Sequence, residues 1–167
     1  DLLQRMDNAP YDFLINHKEK DLLQLSGFVH RTFNDSDLLF YVVRLSELYR
    51  NEKGLEGAFL RGHDHEQETA ANAISGFRNH FFNSEDCLPR NKKHISNPAK
   101  NSACKRINMF LRWMVRKDEA GVDFGIWKGI RPDQLICPLD VHVARVARYL
   151  GLINRTQDDW QTALELT

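Results

Sequence analysis

Two residues of this sequence, Lys105 and Asp140, have the types and settings for covalent chemistry on a sugar. Lys105 stands in Ser102-Ala103-Cys104-Lys105-Arg106, where a helix is expected to open inside a basic stretch. The positive end of that helix dipole and the Arg106 charge both repel a cation there, which suits an amine nucleophile. Asp140 stands in Cys137-Pro138-Leu139-Asp140-Val141-His142, at the expected N-cap of a later helix. Free backbone N–H groups keep a carboxylate ionised in that position. An ionised carboxylate beside an amine stabilises positive charge developing on a sugar ring. Taken singly, each has a plain structural alternative: a surface lysine and a helix cap.

Other constellations carry different chemistry. His63-Asp64-His65-Glu66 places four ligand-type side chains in a row. They point either to metal-dependent phosphohydrolase chemistry or to a polar helix N-terminus. In Phe28-Val29-His30-Arg31-Thr32-Phe33-Asn34, His30 and Arg31 sit between aromatics, as ligand contacts or as a helix-to-loop junction packed by Phe28 and Phe33. Lysine and arginine number 23 against 23 aspartates and glutamates, yet residues 90–117 hold nine basic side chains and no acidic one. Such a block makes a local positive field suited to phosphates. Cys87, Cys104 and Cys137 fit neither a disulfide framework nor a zinc clamp and read as free thiols.

The elements that must position these groups are helical. Asn34, Asp35 and Ser36 offer N-cap chemistry for a helix over 37–49, whose Leu38, Val42, Leu45 and Tyr49 share a face. Ala70, Ile74, Phe77 and Phe81 define an amphipathic helix over 66–82. Ser102 is expected to cap a helix running to 117, with Cys104, Ile107, Leu111, Met114 and Val115 inward. Asp140 caps a helix over 141–150 that Gly151 ends, and Thr156 with Asp159 opens a last one carrying Trp160, Ala163 and Leu164. Loops are expected at 83–100 and 118–139, and no run shows sustained period-two alternation with hairpin turns.

The 167 residues, 42% hydrophobic and 28% charged, have a soluble globular composition, which excludes collagenous, mucin-like and wholly disordered classes. No apolar run approaches a membrane span and no signal-peptide core appears, so a cytoplasmic protein is expected, without membrane contact. The chain reads as a single all-helical domain over 1–167, of about six to eight helices. Its abrupt ends suggest a piece of a longer polypeptide.

Pro-Leu-Asp-Val-His-Val-Ala-Arg-Val around Asp140 resembles the Val-Asp-Thr-His-x-x-Arg segment of the helix-hairpin-helix DNA glycosylases, the endonuclease III and 8-oxoguanine glycosylase superfamily. The whole chain more closely resembles a bacterial family of unassigned function remotely related to them. The matching blocks are Phe28 to Asn34, Ser102 to Asp118 (SACKRINMFLRWMVRKD), Gly121 to Trp127 (GVDFGIW) and Ile136 to Leu152. The segment like the glycosylases proper lies within 102–152. The resemblance implies an all-α, two-lobed architecture with a cleft between lobes. It makes Lys105 the nucleophile that attacks the anomeric carbon of a flipped nucleotide, and Asp140 the carboxylate that stabilises the oxocarbenium-like charge. Two departures stand out. Asn97-Pro98-Ala99-Lys100-Asn101-Ser102-Ala103 replaces the glycine-bearing hairpin that normally holds a DNA phosphate, and no four-cysteine set follows Asp140, so no iron–sulfur centre or other cofactor is expected.

The expected function is therefore nucleic-acid binding, to DNA, with base-excision chemistry at Lys105 and Asp140. Arg106, Arg112, Arg116, His142 and Arg145 are the candidate phosphate contacts, with Arg112 and Arg116 on one helix face and Arg106 elsewhere. Trp127 or Phe124 is a candidate wedge against a flipped base, Trp127 alternatively anchoring a loop in the core. The other readings are a non-catalytic nucleic-acid-binding module and a metal-dependent phosphohydrolase built on His63, Asp64 and His65. Under the favoured reading no residue is a metal ligand.

Overall fold

The computed structural model describes residues 1–66 and 68–167. Among these it has eight α-helices and one two-stranded antiparallel sheet, so the class is all-α. The chain divides into two compact units, Asp1–Ala58 with Phe81–His94 and Phe59–His80 with Ile95–Thr167. No helix among the described residues is long and apolar enough to cross a membrane.

The first unit begins with α1 (Leu2–Arg5) and α2 (Pro10–Asn16), whose first-turn proline needs no N–H partner. A 3-10 turn over Glu19–Leu25 leads to β1 (Val29–His30) and β2 (Phe33–Asn34). The junction expected at Phe28–Asn34 is thus a hairpin. Val29 pairs with Asn34, His30 pairs with Phe33, and Arg31 turns the chain at φ 57. Phe28 and Phe33 do pack together, edge to face at 6.4 Å. Asn34 then caps α3 (Asp35–Asn51), which opens earlier than expected because Asn34 and Asp37 form a reciprocal capping box. Met6, Phe13, Leu25, Phe28, Leu38 and Val42 make the core of this unit. The Asp37 carboxylate is fully buried and receives Arg90 Nη2 at 2.9 Å and Asn91 Nδ2 at 3.0 Å, with His94 Nε2 at 3.1 Å. Burial is the largest influence on this carboxyl and pushes it up, but the Asn34 N–H, His94 and Arg90 together hold it below the usual carboxylate range.

The division between units falls within α4 (Gly54–Leu60). The next helix, α5 (Ala71–Phe81), starts later than expected; Gln67, inside the expected span, lies outside the described residues. Asp64 Oδ1 accepts the Glu66 N–H at 3.0 Å, an Asx-type turn that competes with helix, and the Ala70 N–H is held by the Gln134 carbonyl at 2.8 Å. The predicted face is buried at Ala70, Ile74, Phe77 and Phe81. A Cβ on Gly76 would lie 2.4 Å from the Gly62 Cα, so this close backbone approach needs glycine on both sides.

The remaining helices of the second unit are α6 (Lys105–Val115), α7 (Val141–Tyr149) and α8 (Trp160–Glu165). Phe59 stacks on Phe77 at 4.1 Å, and Trp127 lies 5.4 Å from both Phe59 and Phe110. Gly151 at φ 70 ends α7 as expected, its N–H reaching the Arg148 carbonyl. Asp159 caps α8 through the Thr162 N–H, whereas Thr156 gives its carbonyl to Arg148 and takes no part in the cap. Residues 122–127 form an irregular strip, turned at Gly125 (φ 60), that is hooked to the end of α6 by Phe124 N–H and Trp127 N–H bonds to the Trp113 and Met114 carbonyls. Here period-two alternation is present but inverted: Val122, Phe124 and Ile126 are exposed while Asp123 and Trp127 are buried.

Candidate functional site

Lys105 and Asp140 both belong to the second unit, and their side chains meet. Lys105 is the first residue of α6, and Asp140 is the N-cap of α7. Lys105 Nζ lies 2.7 Å from Asp140 Oδ2, with the lysine side chain 45% and the aspartate side chain 27% exposed. The other carboxylate oxygen accepts the His142 and Val143 N–H groups at 3.0 and 2.9 Å. One oxygen is thus fixed by the helix cap and the other by the amine. The Lys105 ammonium and these backbone donors hold Asp140 down to about 2. A carboxyl so acidic is a fixed negative charge near neutral pH and a weak proton acceptor. The counter-charge for Lys105, absent from a reading of its own helix, comes from another element.

The segment that replaces the glycine-bearing hairpin still makes left-handed turns. Asn97 accepts the Ala99 N–H and caps a 3-10 turn over Pro98–Lys100; Asn101 and Cys104 then adopt φ 56 and 51. Asparagine is the non-glycine residue that tolerates this region best. Asn101 is pinned in place: its Nδ2 donates to Asp159 Oδ2 at 2.8 Å, and its carbonyl accepts the Trp160 N–H at 3.1 Å. Ser102 does not cap α6. It pairs in an isolated bridge with Asp159, and α6 begins after Cys104 without a side-chain cap. The first amides of α6 therefore present an N-terminus suited to an anion. Cys104 is buried there and its thiol is pushed up to about 11 by desolvation, so it stays protonated and unreactive.

The five expected cationic contacts fall into two groups. Arg106, His142 and Arg145 are exposed. Arg112 and Arg116 instead converge on the buried Asp123, with Nε to Oδ2 distances of 3.2 and 3.5 Å, and Asp123 Oδ1 has no hydrogen-bond partner. Both arginines line a cavity of about 340 Å³ that Leu135, Cys137 and Pro138 help to wall. Asp123 is the residue that sequence reasoning missed. Its signal was the inverted alternation of Val-Asp-Phe-Gly-Ile-Trp, with the carboxylate on the buried phase. Trp127 belongs to the core, 7% exposed, so it is not a wedge; Phe124, 55% exposed, is the accessible aromatic of the two.

Among the described residues no group of three or more His, Cys, Asp or Glu side chains is arranged to hold a metal ion. The His63 ring packs against His65 edge to face at 4.8 Å, and desolvation first, then the His65 charge, lower its pKa. Arg131 ties the His65 carbonyl at 2.9 Å, so this stretch is part of the packing around Gln134. His30 and Arg31 are both exposed, on the hairpin of the first unit.

A family model matches the chain over residues 1–167, and the chain belongs to that family, described as a protein of unknown function, DUF2400. Searches of curated proteins and of solved structures found no match.

Proposed function

We propose that the protein binds DNA and attacks the anomeric carbon of a damaged or abasic nucleotide through Lys105, with Asp140 as its electrostatic partner. The observation that carries this reading is the 2.7 Å contact between Lys105 Nζ and Asp140 Oδ2 at the openings of two helices. A partly exposed amine–carboxylate pair beside an uncapped helix N-terminus is suited to a phosphate-linked sugar. The helix amides receive a backbone phosphate, the amine faces the sugar, and the carboxylate offsets the developing positive charge. After the ammonium gives a proton to solvent, its lone pair forms the Nζ–C1′ bond. At a damaged nucleotide the glycosidic C1′–N bond breaks with its electron pair going to the base, which takes a proton; at an abasic site the C1′–OH bond breaks instead and the hydroxyl, protonated, leaves as water. Opening of the C1′–O4′ bond, with a proton passing from nitrogen to O4′, leaves an imine.

Borohydride reduces that imine to a stable protein–DNA adduct. The expected result is trapping on oligonucleotides bearing abasic, oxidised or deaminated sites, and its loss in Lys105→Gln, whose amide cannot form an imine. Trapping that persists in Lys105→Gln would assign the chemistry to another amine. Duplex binding with no adduct or cleavage on any of these substrates would leave a non-catalytic nucleic-acid-binding module.

A further inference from the structure

The geometry points to a second phosphate subsite in the second unit, formed by Arg112 and Arg116, clamped by Asp123, and built for an internal phosphodiester of the strand whose sugar meets Lys105. It rests on the DNA-binding reading above and deepens it. Residues 105, 112 and 116 are separated by nearly two and three whole helical turns, so Arg112 and the C-cap residue Arg116 each lie within about 20° of Lys105 around α6, on either side of it. Arg112 and Arg116 stand about 10 and 16 Å along the axis from Lys105. The segment leading into Asp140 runs beside the same face, since Leu135, Cys137 and Pro138 wall the arginine cavity while Asp140 meets Lys105. One helix face and one flanking segment thus serve both the reacting pair and the arginine pair.

The chemistry of the cavity selects its ligand. The one carboxylate oxygen engaged, Asp123 Oδ2, faces the Nε edges of both arginines, which orients the guanidiniums while leaving their terminal N–H groups for an anion. Two guanidiniums against one buried carboxylate leave a net charge of about one positive unit. That balances the single charge of a phosphodiester better than the nearly double charge of a terminal phosphate. Among the described residues that line the cavity, Arg112 and Arg116 are the charged side chains, and Cys137 adds a partly exposed thiol. Pro132, Leu135 and Pro138 supply apolar wall for the sugar or base attached to the phosphate. The volume of about 340 Å³ lies at the lower end of the range for small-molecule sites. Asp123 is a positioning residue under this inference, acting through the arginines.

The test uses a duplex carrying a reduced abasic-site analogue and a single neutral methylphosphonate placed in turn at each of the phosphates flanking it. In the wild-type chain one position should weaken binding on the order of tenfold. In Arg116→Gln, which removes the more exposed and more distant guanidinium and leaves Arg112 on Asp123, the same substitution should cost much less, because the two losses share one interaction. A penalty of equal size in wild type and variant, or none at any position, overturns the subsite while leaving borohydride trapping at Lys105 untouched. A second measurement does not depend on lesion binding: alkylation of Cys137 in a Cys87→Ser background. A tetrathymidine oligonucleotide without terminal phosphates should slow it several-fold, and Arg116→Gln should abolish the protection. Equal protection by thymidine monophosphate overturns the choice of a diester, and no protection by the oligonucleotide overturns the subsite.

Discussion

At the scale of single residues, Asp140 has two duties that a pH titration can separate from one another. Its carboxyl is depressed to about 2 in the folded chain, against 3.8 ordinarily, by Lys105 and by the α7 amides. A depressed folded value contributes stability above the unfolded pKa and loses it as pH falls toward the folded one. Asp159, also near 2 through the Thr162 N–H and Arg155, acts in the same window. Acid destabilisation between about pH 4 and 2 should therefore be shallower in Asp140→Asn than in wild type, as read by denaturant melts at fixed pH. Asparagine is itself a good N-cap, so at neutral pH that variant should lose only the charge-dependent part of the Asp140 contribution, and under the proposed function its base release should slow. A variant equally acid-sensitive would show that the Lys105 pair contributes nothing to the fold. Thiol chemistry gives an independent check on local burial. Cys104 should resist alkylation at pH 8 in the native state while Cys87 and Cys137, both partly exposed, react.

At the scale of elements, α5 and α6 show two ways in which backbone is placed. Gly76 of α5 lies against Gly62 with no room for a methyl group between the main chains. Gly76→Ala should destabilise the protein by about 1–3 kcal/mol, measured by urea unfolding, because backbone rather than a flexible side chain must move. Little or no change would mean that the turn at 62 yields. In the first unit, α3 opens on Asn34 and Asp37, and the buried Asp37 gathers Arg90, Asn91 and His94. Asp37→Ala should cost about 1–3 kcal/mol in the same assay, a figure that allows for the solvent around Arg90.

At the scale of the whole molecule, the nine positive charges of 90–117 are divided between the two units, Arg90, Lys92 and Lys93 in the first and the other six in the second. Arg90 answers Asp37 in the first unit, and Arg112 and Arg116 answer Asp123 in the second. Under the proposed DNA-binding function, non-specific contacts with a duplex are better sought at the exposed Arg106 and Arg145. Arg106→Glu with Arg145→Glu should weaken duplex binding similarly for all sequences, and the slope of log K against log salt should flatten by about one for each phosphate no longer neutralised. An unchanged slope would move the docking face elsewhere. Glutamates at 112 and 116 would serve this purpose poorly, since they would set further negative charge against the buried Asp123.

Much of the fold was legible in the sequence because its signals are local. Apolar residues at helical spacing marked the buried faces of α3 and α5, while Asp140, Asp159 and Gly151 marked helix ends within one turn of chain. The hairpin at 29–34 was missed because Arg31 turns the chain without glycine, and the strip at 122–127 because its alternation faces outward. The sequence by itself thus determined a helical protein with a lysine and an aspartate at two helix openings. Only the tertiary structure decided that these two side chains, 35 residues apart, stand 2.7 Å from each other. It likewise decided that Arg112 and Arg116 share Asp123 and that Trp127, not Phe124, enters the core. The physical reason is range: caps and periodicity act through neighbouring peptide groups, whereas the partner of a charge depends on the path of every loop between them.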